Sequence, residues 1–163
     1  MNYFKLVLLF TMGSFLLTAC QSKSDTNSLQ NQTKNSSSPK LQSNTIELIN
    51  AWVRPSAKGT NSAIYIDVYN GTDKPDTLMS VKTKIASNSE IHEAFEENGL
   101  MGMRPAGKQP IPSYSVLKLQ PGGLHIMLMR LTRPLAVGDS VRLQLKFYEV
   151  GNRNIKIPVK RAN

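Results

Sequence analysis

A chain of 163 residues is long enough for one domain and too short for two comfortable ones. Its formal charge of +9 favours anionic partners, yet no Lys/Arg-rich run interleaved with aromatics occurs, so no nucleic-acid role is expected. The single cysteine, Cys20, excludes a disulfide within the chain, and burial of the 40% hydrophobic residues must carry the fold.

Lys5 opens the chain with a short positive region, and a mostly apolar stretch runs from Leu6 to Leu17. That stretch is too short for a membrane span and is interrupted by Gly13 and Ser14, so residues 1–19 read as a secretory signal peptide. Leu17-Thr18-Ala19-Cys20 resembles the bacterial lipoprotein signal. That resemblance implies acylation of Cys20 and anchoring in the cell envelope, facing the periplasm or exterior. From Gln21 to about Asn44 polar residues dominate, with Leu29 and Leu41 the only large apolar side chains. Such a stretch cannot bury enough surface to offset its ordering entropy, so residues 20–44 are expected to form a flexible tether behind the lipidated cysteine.

The remainder, 45–163, reads as all-β. Ile46 to Val53 is a short apolar strand ended by Arg54-Pro55, and Ser62 to Tyr69 alternates before the Asn70-Gly71 turn. Leu78 to Ile85 alternates again. Ile91 to Phe95 and Leu100 to Met103 flank Asn98-Gly99, a hairpin turn that needs positive φ. Val116 to Leu119 precedes Pro121-Gly122-Gly123, and Leu124 to Leu131 is apolar on both faces, as a central strand would be. Val141 to Val150 and Ile155 to Val159 close the chain. Strands at this spacing indicate a sandwich or barrel.

The chemistry-bearing residues are few. The region after the signal peptide holds two histidines, His92 and His125, and four of its methionines fall in pairs, Met101 with Met103 and Met127 with Met129. Residues two apart on a strand share a face, so His125, Met127 and Met129 form one stripe and Met101 and Met103 another, on the arm opposite His92. Two imidazoles and up to four thioethers could converge across neighbouring strands. Thioether sulfur is soft and needs no deprotonation, which suits Cu(I) and not Mg, Ca or Mn; zinc sites usually recruit Cys, carboxylate or more His. A site without thiolate also suits an oxidising compartment, where paired cysteines are lost to disulfides. Against this stands the ordinary use of methionine as core filler on an apolar strand.

Ten residues separate His92 from Met103, twenty-one separate Met103 from His125, and His125-Ile126-Met127 is His-x-Met. This pattern resembles the periplasmic copper chaperone family abbreviated PCuAC, as do Ala51-Trp-Val-Arg-Pro55, Tyr69-Asn-Gly71, Met101-Gly-Met-Arg-Pro105, Leu119 to Met129 and Arg133-Pro-Leu-Ala-Val-Gly-Asp139. The resemblance covers about 46 to 160. It implies a cupredoxin-like Greek-key β-sandwich and Cu(I) held by His92, Met103, His125 and Met127, with Met101 and Met129 as auxiliary candidates. One departure stands out: the family often has His-Met or His-Glu-Met at the first histidine, where this chain reads His92-Glu93-Ala94. Trp52 is a candidate to cap a cuprous ion, with core packing the plainer alternative.

No enzyme is expected, because Gly-x-Ser-x-Gly, His-Glu-x-x-His and a free thiol nucleophile are all missing. The resemblance implies a metallochaperone that delivers copper to a membrane acceptor, cytochrome c oxidase or one of its assembly factors, and a monomer is expected. Copper storage by sequestration uses the same site and differs only in lacking a receiving partner. The basic run from Arg153 to Arg161 is either a solvated last strand or a contact for an acidic partner.

Overall fold

The computed structural model describes residues 44–162. The signal peptide, Cys20 and the tether before Asn44 lie outside the described residues. Asn44 itself donates its backbone N–H to Gly71 O at 2.6 Å, so the chain is already docked one residue before the expected domain start.

Ten strands follow: β1 (Ile46–Val53), β2 (Ser62–Asn70), β3 (Asp76–Lys82), β4 (Ala86–Glu97), β5 (Leu100–Pro105), β6 (Gln109–Ile111), β7 (Ser115–Leu119), β8 (Leu124–Leu131), β9 (Ser140–Phe147) and β10 (Asn152–Pro158). They form two antiparallel sheets. One has the order β1-β2-β8-β4-β5 with β7 also paired to β2, and the other has the order β10-β9-β3-β6. β2 and β4 belong to one sheet while β3 lies in the other, so the chain crosses between layers on both sides of β3. The all-β sandwich expected from the alternation is therefore the architecture of this domain.

The core lies between the sheets. Ile64, Ile66 and Val68 of β2 and Ile126 and Leu128 of β8 meet Leu78, Val141, Leu143, Leu145, Phe147 and Ile157 of the other sheet, all essentially inaccessible to solvent. Burying each large aliphatic side chain is worth about 1.5–3 kcal/mol, which is what a fold without disulfides depends on. Residues 37–163 form a compact unit that contains this entire core and every strand pairing, so this segment carries the contacts it needs to fold alone.

Three departures from the sequence expectation have local causes. β3 ends at Lys82 and β9 at Phe147, because the chain turns at Thr83–Ile85 and Tyr148–Val150 despite the apolar residues there. β6 was not expected, since Pro110 sits in its middle. It pairs Asp76, Thr77 and Leu78 at the sheet edge, the one sheet position where a residue without an N–H is tolerated. Trp52, expected to pack in the core, does not. The β1–β2 register slips between Ile49 and Trp52, where Asn50 takes φ 56° and donates Nδ2–H to Asp67 Oδ2 at 2.8 Å. The extra residue of this bulge lets Ile46, Leu48 and Val53 all face the core and turns Trp52 to the outer face, opposite Tyr65.

Candidate metal centre

The outer face of the larger sheet carries every sequence-predicted ligand. Across β4 and β8 the register pairs His92 directly with His125, Glu90 with Met127 and Asn88 with Met129. Across β4 and β5 it pairs Ala94 with Met103 and Glu96 with Met101. Directly opposed residues point to one face, so the histidine pair is the central rung, with Met103 one same-face step to one side and Met127 one step to the other. Met101 and Met129 each lie a further step away, roughly 7 Å more along the strands. Met103, Met127 and His125 line one cleft of ≈ 380 Å³ with Tyr65 and Ala63.

Both imidazoles are oriented by hydrogen bonds that leave one nitrogen free. His125 is 4% exposed and its Nδ1 lies 3.0 Å from Gly123 O. A carbonyl only accepts, so the neutral ring carries its hydrogen on Nδ1 and presents the Nε2 lone pair. His92 is 8% exposed and donates Nε2–H to Glu90 Oε2 at 3.2 Å, and Glu90 Oε1 is itself held by Asn88 Nδ2 at 2.6 Å. His92 Nδ1 is then the lone-pair nitrogen. Among the described residues it is the one buried side-chain N or O atom without a hydrogen-bond partner. Leaving such an atom unsatisfied costs about 1–3 kcal/mol, which a coordinated cation would recover.

The ring spacing lies just above that of two imidazoles sharing one ion, so a small approach of the rings would let both bind it. The His92 and His125 centroids are 6.2 Å apart at an interplanar angle of 51°. Two imidazoles bound to one ion at metal–nitrogen distances of about 2 Å place their centroids roughly 5–6 Å apart. Among the described residues no three His, Cys, Asp or Glu side chains gather into a metal-holding group, so this nitrogen pair needs softer donors to complete a site. The donor chemistry present, two imidazoles with nearby thioethers, fits a monovalent copper ion.

Sequence reasoning missed two supports. Glu90, two residues before His92 on the same face, fixes that ring; the Glu-x-His spacing was the available signal. Tyr65 lies between Trp52 and His125, with ring centroids 4.5 Å from the first and 6.4 Å from the second. Trp52 thus backs Tyr65 instead of facing the histidine pair.

The comparisons with known proteins bear on the family and the fold. The profile of the LpqE-like family matches residues 46–159, which span every strand but the last residues of the chain. The chain belongs to this LpqE-like, PCuAC-type family. A protein of Leifsonia xyli subsp. xyli named "Putative lipoprotein Lxx21020" is 32% identical over 123 residues, 75% of this chain and 74% of its own. Among solved structures, CuI-DR1885 from Deinococcus radiodurans is 27% identical with a TM-score of 0.56, covering 78% of this chain and 85% of its own. The copper-bound PCuAC domain from PmoF2 is 24% identical with a TM-score of 0.61 over 75% of this chain and 97% of its own, a likeness of fold. The sandwich is cupredoxin-like, as the sequence resemblance implied.

Two LpqE-like motifs acquire a physical reason. β7 and β8 both pair with β2, at Ile66–Asn70 and Ser62–Ile64, so Gln120 to Gly123 is a loop inserted into one interrupted strand. Gly122 takes φ 80° there, which only glycine adopts without strain, and Gly123 O accepts from both Ala94 N and His125 Nδ1. The second is Met101-Gly102-Met103. Gly102 lies directly opposite Phe95, and a Cβ at 102 would sit 2.5 Å from the Phe95 ring, which Arg104 covers with its guanidinium 5.0 Å from the centroid. Gly102→Ala is therefore expected to displace that ring and loosen the β5 arm, at a cost of about 1–3 kcal/mol. Hydrogen exchange at Phe95 and Arg104, which lie in the hydrogen-bonded pairs of the β4–β5 ladder, should accelerate, and unchanged exchange would show that Phe95 simply swings aside.

Proposed function

We propose that the domain binds one Cu(I) ion through His92 Nδ1, His125 Nε2 and the thioethers of Met103 and Met127, and passes it to a membrane-bound acceptor. The single observation that carries this reading is the buried, partnerless His92 Nδ1 beside His125, whose own Nδ1 is committed to Gly123 O. Support for the metal's identity comes from relatives: one solved structure of this family is CuI-DR1885 and another is a copper-bound PCuAC domain. Met101 and Met129 stand too far from the histidine rung to share its ion, and serve at most as neighbours.

Met103 is 62% exposed, unlike the two histidines. An exposed, uncharged thioether is the ligand an incoming acceptor displaces first, and this favours transfer over sequestration. The acceptor is cytochrome c oxidase or one of its assembly factors, and the lipid on Cys20 holds the domain near it. The relative named as a lipoprotein supports that anchoring. A tether of this length keeps the domain at high effective concentration beside a membrane acceptor.

Purified and reduced, segment 37–163 should retain one equivalent of Cu(I), with X-ray absorption counting two nitrogen and two sulfur ligands. Loss of the metal on a desalting column would remove both the delivery and the storage readings. Deleting the gene should lower cytochrome oxidase activity under copper limitation, with rescue by added copper; normal activity there would leave sequestration. Glu90→Ala removes the acceptor that fixes His92, and should weaken Cu(I) binding about 10–100-fold without changing the ligand count. An unchanged affinity in a competition titration would show that Glu90 plays no part in holding the ring.

A further inference from the structure

The smaller sheet carries a second concave feature on its own outer face, on the other side of the sandwich from the histidines. A cleft of ≈ 860 Å³ is lined by Lys82, Lys84, Arg133, Arg142 and Lys156, with Thr83, Gln144 and Asn154 among its polar walls and no acidic residue. Its centre is a cross-strand pair of like charge: the β9–β10 register sets Arg142 directly opposite Lys156. Like charges so placed repel and destabilise a ladder, and here nothing from the protein offsets them. The described residues contain three ion pairs, and only Arg133, bonded to Asp139 at 3.3 Å, takes part in one. No described carboxylate reaches Lys82, Lys84, Arg142 or Lys156.

We propose that this cleft binds a phosphate-bearing anion. The concave wall focuses the field of the four unpaired cations, which an open, evenly charged surface would spread. Arg142 offers a planar fork that matches two phosphate oxygens, and the flanking lysines supply point charges to the remainder. The spread of cations over three strands and the Thr83–Ile85 turn suits a group carrying more than one negative charge. A phospholipid headgroup and a soluble phosphate compound share this chemistry. The basic run near the C-terminus contributes Lys156 to it, while Arg153 turns back to Val150 O at 2.9 Å and takes no part.

The test uses segment 37–163, with inorganic pyrophosphate and vesicles of phosphatidylglycerol or phosphatidylcholine as probes. Pyrophosphate should shift the amide resonances of Thr83, Ile85 and Gln144 saturably, and Arg142→Gln with Lys156→Gln should weaken it at least ~10-fold. Lys118→Gln with Lys160→Gln, at a separate cleft beside Asp67, removes the same charge and should change affinity less than ~2-fold. Arg142→Lys keeps the charge and loses the fork, so a severalfold loss distinguishes a shaped site from a basic surface. Thermal unfolding of the Gln pair should show no loss of Tm, since a repulsion is relieved. Binding confined to phosphatidylglycerol vesicles, and dependent on Arg142 and Lys156, identifies the source as a lipid headgroup and supports the proposal. Equal losses in both double variants, or polyglutamate shifting the same resonances as strongly as pyrophosphate, would overturn it in favour of diffuse charge or an acidic polypeptide.

Discussion

His125→Asn is expected to lower Cu(I) affinity by more than ~100-fold while leaving the sandwich folded. The choice of Asn matters. Its amide nitrogen can occupy the position of the histidine Nδ1 and keep the bond to Gly123 O, which measures 3.0 Å in the wild type. What it removes is the Nε2 lone pair alone. Met127→Leu is the matching change for sulfur, close in volume and apolar, so it deletes a donor without opening a cavity. Both variants should give β-rich circular dichroism and Tm values within a few degrees of wild type. Met101→Leu and Met129→Leu, two steps from the histidine rung, should hold copper as the wild type does. Should His125→Asn keep wild-type affinity, the four-ligand assignment is wrong. Should Met129→Leu lose copper and Met127→Leu keep it, the strand register is not what selects the sulfur.

The neighbouring residue gives the opposite result. Ile126 is fully buried between the sheets, one position from two proposed ligands and on the other face of β8. Ile126→Ala should cost about 2–5 kcal/mol by lost transfer energy and the cavity left behind. With a typical domain stability of 5–15 kcal/mol, that lowers Tm on the order of 10 °C. Copper stoichiometry in the cold should stay at one, because no donor has been touched. The contrast between 126 and 125 or 127 tests the face assignment directly. A copper defect at 126 as large as that at 125, in folded protein, would mean the outer face is not the binding face.

Much of the domain was legible because alternation in a strand is unambiguous when one face is buried. Ile46–Val53 and Leu124–Leu131 were read with their observed ends, and Asn98 and Gly99 take φ of 52° and 77° as an Asn-Gly hairpin turn requires. β6 was hidden because a three-residue edge strand around Pro110 has no period to detect. Trp52 was misplaced because a single-residue bulge inverts the faces of everything after it; Asn50 is of a type that tolerates positive φ, but without an adjacent glycine or turn signal it does not mark a bulge.

The spacing of His92, Met103 and His125-x-Met127 determined by itself which side chains are candidates and which metal chemistry suits them, since donor type is a property of residues. Same-face alternation by itself treats Met101 like Met103 and Met129 like Met127, so the choice of Met103 and Met127 rested on the resemblance to the family spacing. The tertiary structure gives that choice a physical reason, by pairing His92 with His125 and thereby fixing how many steps each sulfur lies from the imidazoles. The tertiary structure also decided where the free ring nitrogens meet. Glu90 and Gly123 O each lie two residues from the histidine they hold, so those bonds are local, but only the pairing of β4 with β8 sets His92 beside His125.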